Sequence, residues 1–312
     1  MRVSVVAKES PEPRPRVWVA TLLRRGQIVP NSQFRAGSLN SRPMQALSHW
    51  PVSARQNLIG VFTDIDDTLT TDGAITPDAL QALADLKTAG LHVIPITGRP
   101  VGWSVPFAAA WPVDAIVAEN GALALRAVPN NSPSSDPAVL SKLYQQDDAT
   151  RLANFTRMHN VAARVLREVP GASLAQDSAG RETDIAIDHS EFTQLPPERI
   201  AQVVQLMQSE GMHATVSSIH INGWFGAHNK WDGARWIVRE LFGRDLRAEI
   251  DRWAYVGDST NDQLMFEAFT HSIGVANIRR FEAQLTHKPR YITAGERGAG
   301  FTEVVNAILA AR

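Results

Sequence analysis

The chain has 312 residues, is 44% hydrophobic and 20% charged, and carries a formal net charge of −1 and no cysteine. That length suits about two domains, the composition supports a buried core, and without cysteine there is no disulfide, thiolate metal site or cysteine nucleophile. Near-neutral charge gives no general reason to expect nucleic acid or a membrane as partner, no apolar run approaches the ~18 residues of a membrane span, and the expected setting is cytoplasmic.

Residues 1–56 hold nine Lys/Arg against Glu9 and Glu12, a balance of +7 that leaves −8 for the remainder. This segment is rich in Pro, Ser and Arg and has no clear period. Its apolar run VWVATLL (17–23) is followed by Arg24-Arg25 and not by a small-residue cleavage site, the reverse of a secretory leader. It reads as a disordered or spurious N-terminal extension, with Met44 as a later candidate start.

From Leu58 the pattern is α/β. LIGVFTD is a short buried strand bounded by carboxylates. Thr76-Pro77 predicts a helix start, with Leu80, Leu83, Ala84 and Leu86 on one face and Gly90 as its end. LHVIPIT (91–97) is a second strand, 101–110 a short helix, and DAIVAENGA a third strand running into a turn at Asn120-Gly121. VPNNSPSSDP (128–137) is a loop by composition. A helix is expected over 149–168, a half-exposed strand in ETDIAIDHS (182–190), a helix ending at Gly211, and one or two strands in HATVSSIHINGWF. The parallel pattern resumes with the helix KWDGARWIVRELFG, the strand RWAYVGD, the helix NDQLMFEAF, the strand HSIGVAN and a last helix near 300–311. Strands alternating with helices argue for a parallel sheet with right-handed crossovers. The interruption argues for an α+β module inserted into one core.

The chemistry concentrates where parallel strands end, since ligands bind outside those ends. VFTDIDDTLTTDG (61–73) places Asp64, Asp66 and Asp67 in four positions. As an EF-hand it would need Glu at the twelfth position from Asp64, which is Ile75. Thr97 follows the second strand, Lys230 opens a later helix, and Asp258, Asn261 and Asp262 follow the strand WAYVG. Clustered carboxylates do not all stay ionised without a cation, and an oxygen-only donor set suits a hard ion such as Mg²⁺. Acids, a hydroxyl and one ammonium together are what phosphoryl transfer needs.

DIDDTLT, PITGRP, HNKWDGA and VGDSTNDQLMF, in this order, resemble the four motifs of the haloacid dehalogenase (HAD) superfamily of phosphatases, over about residues 58 to 311. AENGA, RETDIAID and SIHINGWFGAHNKW are similar to the C2B-capped subgroup, which includes sucrose-, trehalose- and mannosylglycerate-type phosphatases and phosphomannomutase. The resemblance implies an α/β, Rossmann-like parallel-sheet core over 57–127 and 218–312, with an α+β C2-type cap over 128–217. It implies Asp64 as nucleophile and Mg²⁺ ligand, and Asp66 as acid/base that binds Mg²⁺ through its carbonyl. Thr97, Gly98 and Lys230 would bind the substrate phosphate, Asp258 would be the last metal ligand, and Asn261 and Asp262 would support it. The family usually has Gly where this chain has Asp67, whose carboxylate is expected to turn away from the phosphate, toward a helix N-terminus or Arg99. In the cap, Arg181, Glu182 and Asp184, and before the third motif His220, Asn222 and Trp224, are weighed as sugar contacts against surface pairing and core packing.

The expectation is a Mg²⁺-dependent phosphatase acting on a small phosphorylated metabolite, most simply a sugar phosphate, through an aspartyl-phosphate. A sugar phosphomutase using the same intermediate and a catalytically idle binding or regulatory protein are the alternatives. Nothing in the sequence sets the oligomeric state.

Overall fold

The structure is a computed structural model that describes residues 43–128 and 139–312. In chain order it contains β1 (Gln45–Ala46), α1 (Val52–Gln56), β2 (Gly60–Thr63), the hairpin β3 (Thr70–Thr71) and β4 (Ala74–Ile75), α2 (Pro77–Thr88), β5 (His92–Pro95), α3 (Val101–Ala110), β6 (Ile116–Ala118), β7 (Leu123–Val128) and β8 (Val139–Tyr144). Then come α4 (Asp148–Glu168), β9 (Ser173–Leu174), β10 (Ile185–Asp188), α5 (Pro197–Ser209), β11 (His213–Val216), β12 (His220–Trp224), α6 (Lys230–Phe242), β13 (Trp253–Gly257), α7 (Gln263–Ala268), β14 (His271–Gly274), β15 (Tyr291–Ile292) and α8 (Arg297–Leu309). None of the described helices is long and apolar enough to cross a membrane.

The central sheet is parallel in the order β1-β15-β14-β13-β2-β5. A parallel bridge between Ile96 and Val117 continues it toward β6, from which β7 and β8 run antiparallel. Apart from the exposed edge strand β1, its strands are buried on both faces, as a sheet covered by helices on both sides requires. Successive residues part accordingly. Val61, Val93, Ala254 and Val256 pack with Leu83, Leu86, Phe301 and Val304 of α2 and α8, while Phe62, Ile94 and Tyr255 pack with Ile237, Val238 and Met265 of α6 and α7.

The insert forms its own layer. Its antiparallel sheet, β11-β12-β10-β9, packs one face on α4 and α5 through Ile185, Ile187, Ile221, Val161, Val165 and Val203. Gly223 admits this approach, because the Sδ of Met207 lies 2.7 Å from where a Cβ would stand.

Several expectations change. Residues 43–56 belong to the core and not to the extension: β1 adds an edge strand beside β15, Leu47 and Trp50 are buried, and Trp50 stacks on Tyr291 and donates to Nδ1 of His271. Residues 1–42 and the loop of 128–137 beyond Val128 lie outside the described residues. The cap extends past 217, because β12 pairs antiparallel with both β10 and β11; the chain returns to the core only after Trp224. β10 is buried on both faces and not half-exposed, since its second face lies against the core. Leu80 is exposed, and α2 instead buries Ala79, Ala82, Leu83 and Leu86.

Candidate active site

β2 and β13 are hydrogen-bonded neighbours, and the Asp64 N–H donates to the Val256 carbonyl at 2.8 Å. That register sets the end of β2 beside the end of β13, so Asp64 and Asp258 meet across the sheet's crevice. α6 brings Lys230 to the same point. Its N-cap Asn229 accepts from the Asp232 N–H, and its first turn lies directly on the turn after β6. That approach needs two glycines: a Cβ on Gly121 (φ +104°) would lie 2.4 Å from the Asn229 carbonyl oxygen, and one on Gly233 would lie 2.5 Å from the Gly121 Cα.

Lys230, 3% exposed, donates to Asp64 Oδ1 and Asp262 Oδ1, each at 2.7 Å. Asp262 also accepts from the Tyr255 hydroxyl and from the N–H groups of Asp258 and Ser259, so its oxygens are fully engaged. Asp258 is 1% exposed; Asn277 donates to its Oδ2, while its Oδ1 is buried without a partner among the described residues. Carboxylate oxygens of Asp64, Asp258 and Asp262 lie within 4.8 Å of one another. Were all three carboxylates ionised, one ammonium would leave two negative charges uncompensated in a buried pocket. The protonation equilibria register this strain. Burial pushes Asp64 up to about 7, with Asp262 and Asp66 adding to the rise and Lys230 opposing it. Burial, then Asp64 and Asp262, push Asp258 well above the carboxylate range. Burial disfavours the Lys230 ammonium, but Asp262 and Asp64 hold its pKa above the ordinary lysine value.

The donor set fits a hard divalent cation. It is all oxygen, it contains no His or Cys, and it presents one orphaned oxygen of Asp258 beside a carboxylate of Asp64 that has only one oxygen committed to Lys230.

Asp66 faces the cap. Arg99 Nε donates to both its oxygens at 2.9 and 3.1 Å. The same guanidinium reaches Asp177 at 3.2 Å and Glu191 at 2.9 Å, and Glu191 meets His220 Nε2 at 2.8 Å. The hydrogen bond from His220, with Arg99 beside it, pulls Glu191 down to about 2. Thr97 is buried and its hydroxyl oxygen accepts the Arg99 N–H; among the described residues no acceptor takes the Thr97 hydroxyl proton or the Gly98 N–H. Asp64, Asp66, Gly98, Arg99, Asn222 and Asn261, with cap residues 217–220, line a cavity of about 10 Å³, about the room of one water. The cap is closed on the core.

The sequence-expected cap residues separate. His220 and Asn222 do face the cleft. Arg181 and Asp184 are a buried pair at 2.8 Å, with Arg181 also donating to the Gly98 carbonyl, so they fasten cap to core and are not free for a ligand. Glu182 turns to Lys142 and Tyr144. Trp224 is buried in the cap, stacked on His228. Asp67 does turn from the cleft, to the N-terminus of α8 and not to Arg99: its carboxylate meets Arg297, the first residue of that helix, at 3.1 Å, while Arg99 is committed to Asp66.

Glu119, at the end of β6, was not singled out from sequence. It is fully buried and accepts from Val101 N, Glu182 N, Thr183 N and Thr183 Oγ1, joining core to cap. Asn277, beyond β14, was missed too. Both stand past the ends of parallel strands, and the rule that picks out Asp64 and Asp258 reaches them when applied to every strand.

Residues 61–169 match the haloacid dehalogenase-like hydrolase family. No curated protein matches the sequence. Among solved structures, the chain is similar to a Thermoplasma acidophilum protein (15% identity, TM-score 0.59, covering 81% of this chain and 98% of that one). It is likewise similar to the sucrose-phosphatase of Synechocystis sp. PCC6803, solved with sucrose and phosphate (14%, 0.56, 81% and 98%). A third is a HAD subclass IIB sugar phosphatase (13%, 0.54, 81% and 99%). At these identities the likeness is one of fold.

Proposed function

We propose that this chain, which carries a haloacid dehalogenase-like hydrolase domain, is a Mg²⁺-dependent phosphatase that hydrolyses a small phosphorylated metabolite, a sugar phosphate in the first instance. The observation that carries the reading is the uncompensated pocket: Asp64, Asp258 and Asp262 against Lys230 alone, with the Asp258 Oδ1 unpartnered. Asp64 and Asp258 would hold the cation, with the Asp66 carbonyl beside them. Bound there, Mg²⁺ would offset the charge of a phosphate dianion and let a carboxylate approach it.

An Asp64 oxygen attacks phosphorus and the bond to the leaving oxygen breaks, giving an acyl phosphate on Asp64. Asp66 gives its proton to the leaving oxygen, then takes one from the water that attacks phosphorus, which returns Asp64 and releases phosphate. Lys230 offsets the charge of the nucleophilic carboxylate and of the phosphoryl group that approaches it, and Thr97 and Gly98 offer an O–H and an N–H for the equatorial oxygens. Arg99 engages both oxygens of Asp66 while the site is empty. An entering phosphate competes for that guanidinium and frees Asp66 to carry a proton. A cavity of about 10 Å³ admits no sugar, so the cap must lift for entry and close for chemistry, which excludes bulk water. The polar wall of His220, which Glu191 pairs from behind, and Asn222 suits a hydroxyl-bearing leaving group.

A panel of sugar phosphates, phosphoglycolate and nucleotides, with phosphate release measured in Mg²⁺, tests the proposal. Asp64→Asn is expected to lower the rate at least ~10³-fold. No release from any phosphomonoester by the parent, with Asp64→Asn behaving identically, would sink the enzymatic reading, and sugar isomerisation without release would favour a mutase.

A further inference from the structure

We infer that Asn277 is a positioning residue that aims Asp258 at the cation and ties the nucleophile loop to the last helix; this rests on the metal-dependent reading above. Asn277 lies three residues beyond β14 and is 2% exposed. Its amide has two N–H donors and one oxygen, and all three are used. Nδ2 donates to Asp258 Oδ2 and to the Asp67 carbonyl, both at 3.0 Å, and Oδ1 accepts the Arg297 N–H at 2.9 Å. These partners fix the amide's orientation, because turning it over would set its oxygen against a carboxylate and a carbonyl.

The consequence falls on Asp258. One of its oxygens is taken by Asn277 and the other is buried and unpartnered. Asn277 therefore determines which oxygen is left for a cation and where it points. A carboxylate held by a hydrogen bond keeps its donor atom in place before the metal arrives, as outer partners of metal ligands generally do.

The same amide explains Asp67. Asp67 has φ +54°, a left-handed conformation that L-residues adopt reluctantly, and that turn presents its carbonyl to Asn277. Its N–H donates to Thr70 Oγ1 at 3.1 Å, and its carboxylate meets Arg297 Nε at 3.1 Å as a charge contact without hydrogen-bond alignment. Arg297 also has φ +54° and opens α8. Asp67, Asn277 and Arg297 close a ring that joins the loop carrying Asp64 and Asp66 to α8 and, through Asn277, to Asp258. The carboxylate at 67 thus holds the loop from behind and takes no part in the phosphate's surroundings.

The test is calorimetric Mg²⁺ binding to the full chain without substrate. Asn277→Ala is expected to weaken Mg²⁺ binding about 10- to 100-fold. Arg297→Ala, which leaves the backbone N–H and the Asn277–Asp258 bond in place, should change it less than ~3-fold by the same reasoning about direct and remote partners. A folded Asn277→Ala protein that binds Mg²⁺ as tightly as the parent overturns the inference while the metal site stands. A parent that binds no Mg²⁺ overturns the metal-dependent reading itself. If Asn277→Ala does not fold, Asn277→Ser carries the same comparison, and failure of both to fold would make Asn277 a scaffold residue and overturn the positioning role.

Discussion

Two buried polar clusters meet at the cleft, and they are built on opposite principles. At the core end, Asp64, Asp258 and Asp262 share one ammonium and leave the Asp258 Oδ1 without a partner. At the joint between core and cap, every carboxylate is answered. Glu119 takes four donors, Asp184 takes Arg181 and Asn222, and Glu191 takes Arg99 and His220. Buried polar groups that are satisfied hold parts together, and those that are not cost stability unless something binds them. The joint is complete as it stands, whereas the core cluster has room for one divalent charge.

Replacing a carboxylate in each cluster should therefore act in opposite directions. Asp258→Asn is expected to lower turnover by ~10²-fold or more, by loss of a metal ligand, yet to raise the metal-free protein's unfolding free energy by about 1–3 kcal/mol, because it removes an acid that folding forces to keep its proton where the unfolded chain would ionise it. Activity assays and urea denaturation in chelator read the two effects. Loss of metal-free stability would put Asp258 among the structural carboxylates and erase the contrast.

Glu119→Ala should do the reverse. It strands the N–H groups of Val101, Glu182 and Thr183 in the joint and is expected to cost about 3–5 kcal/mol in denaturation. Metal affinity should stay within ~3-fold of the parent, since Glu119 is not one of the cation-holding groups. A loss under ~1 kcal/mol would mean that water or another group takes up those donors.

A smaller effect should appear in the return of the chain from cap to core. His228 is buried, stacks on Trp224, and has both ring nitrogens unpartnered among the described residues. Burial lowers its pKa from 6.5 to about 4. The folded-state value lies below the unfolded one, so between these values the unfolded chain binds a proton that the folded chain refuses. Stability from this group is whole above pH 6.5 and drains as pH falls toward 4, by at most about 3 kcal/mol. His228→Phe, which keeps a ring against Trp224, should flatten the melting temperature over that range and leave it nearly unchanged at pH 8. An equal acid slope in both proteins would assign the loss to other groups.

Much of the core cluster is legible in sequence because each member has a local signature. Asp64 and Asp258 end short apolar runs, Asp262 lies four residues beyond Asp258, and Lys230 follows the capping Asn229. The joint is not legible in this way. Arg99 is 33 positions from Asp66 and 92 from Glu191, and Glu191 is 29 from His220. These pairs exist only once an antiparallel insert has folded back over the crevice, and no periodicity encodes that pairing. Trp50 shows the same limit at the other edge. In a stretch rich in Pro, Ser and Arg it looks unordered, and only its packing on Tyr291 and His271 places β1 in the sheet. Asp67 lay between the two cases: its departure from the usual glycine is visible in the sequence, but its partner Arg297 is 230 positions away.

The central claim is that Asp64 carries the phosphoryl group. The most direct measurement is to quench the protein during turnover with Mg²⁺ and a sugar phosphate that it hydrolyses, reduce acyl phosphates with borohydride, and map the peptides by mass spectrometry. Reduction at Asp64 to homoserine, absent when the metal is chelated, is the expected result. Phosphate release with Asp64 unmodified, or homoserine at another carboxylate, would contradict the claim.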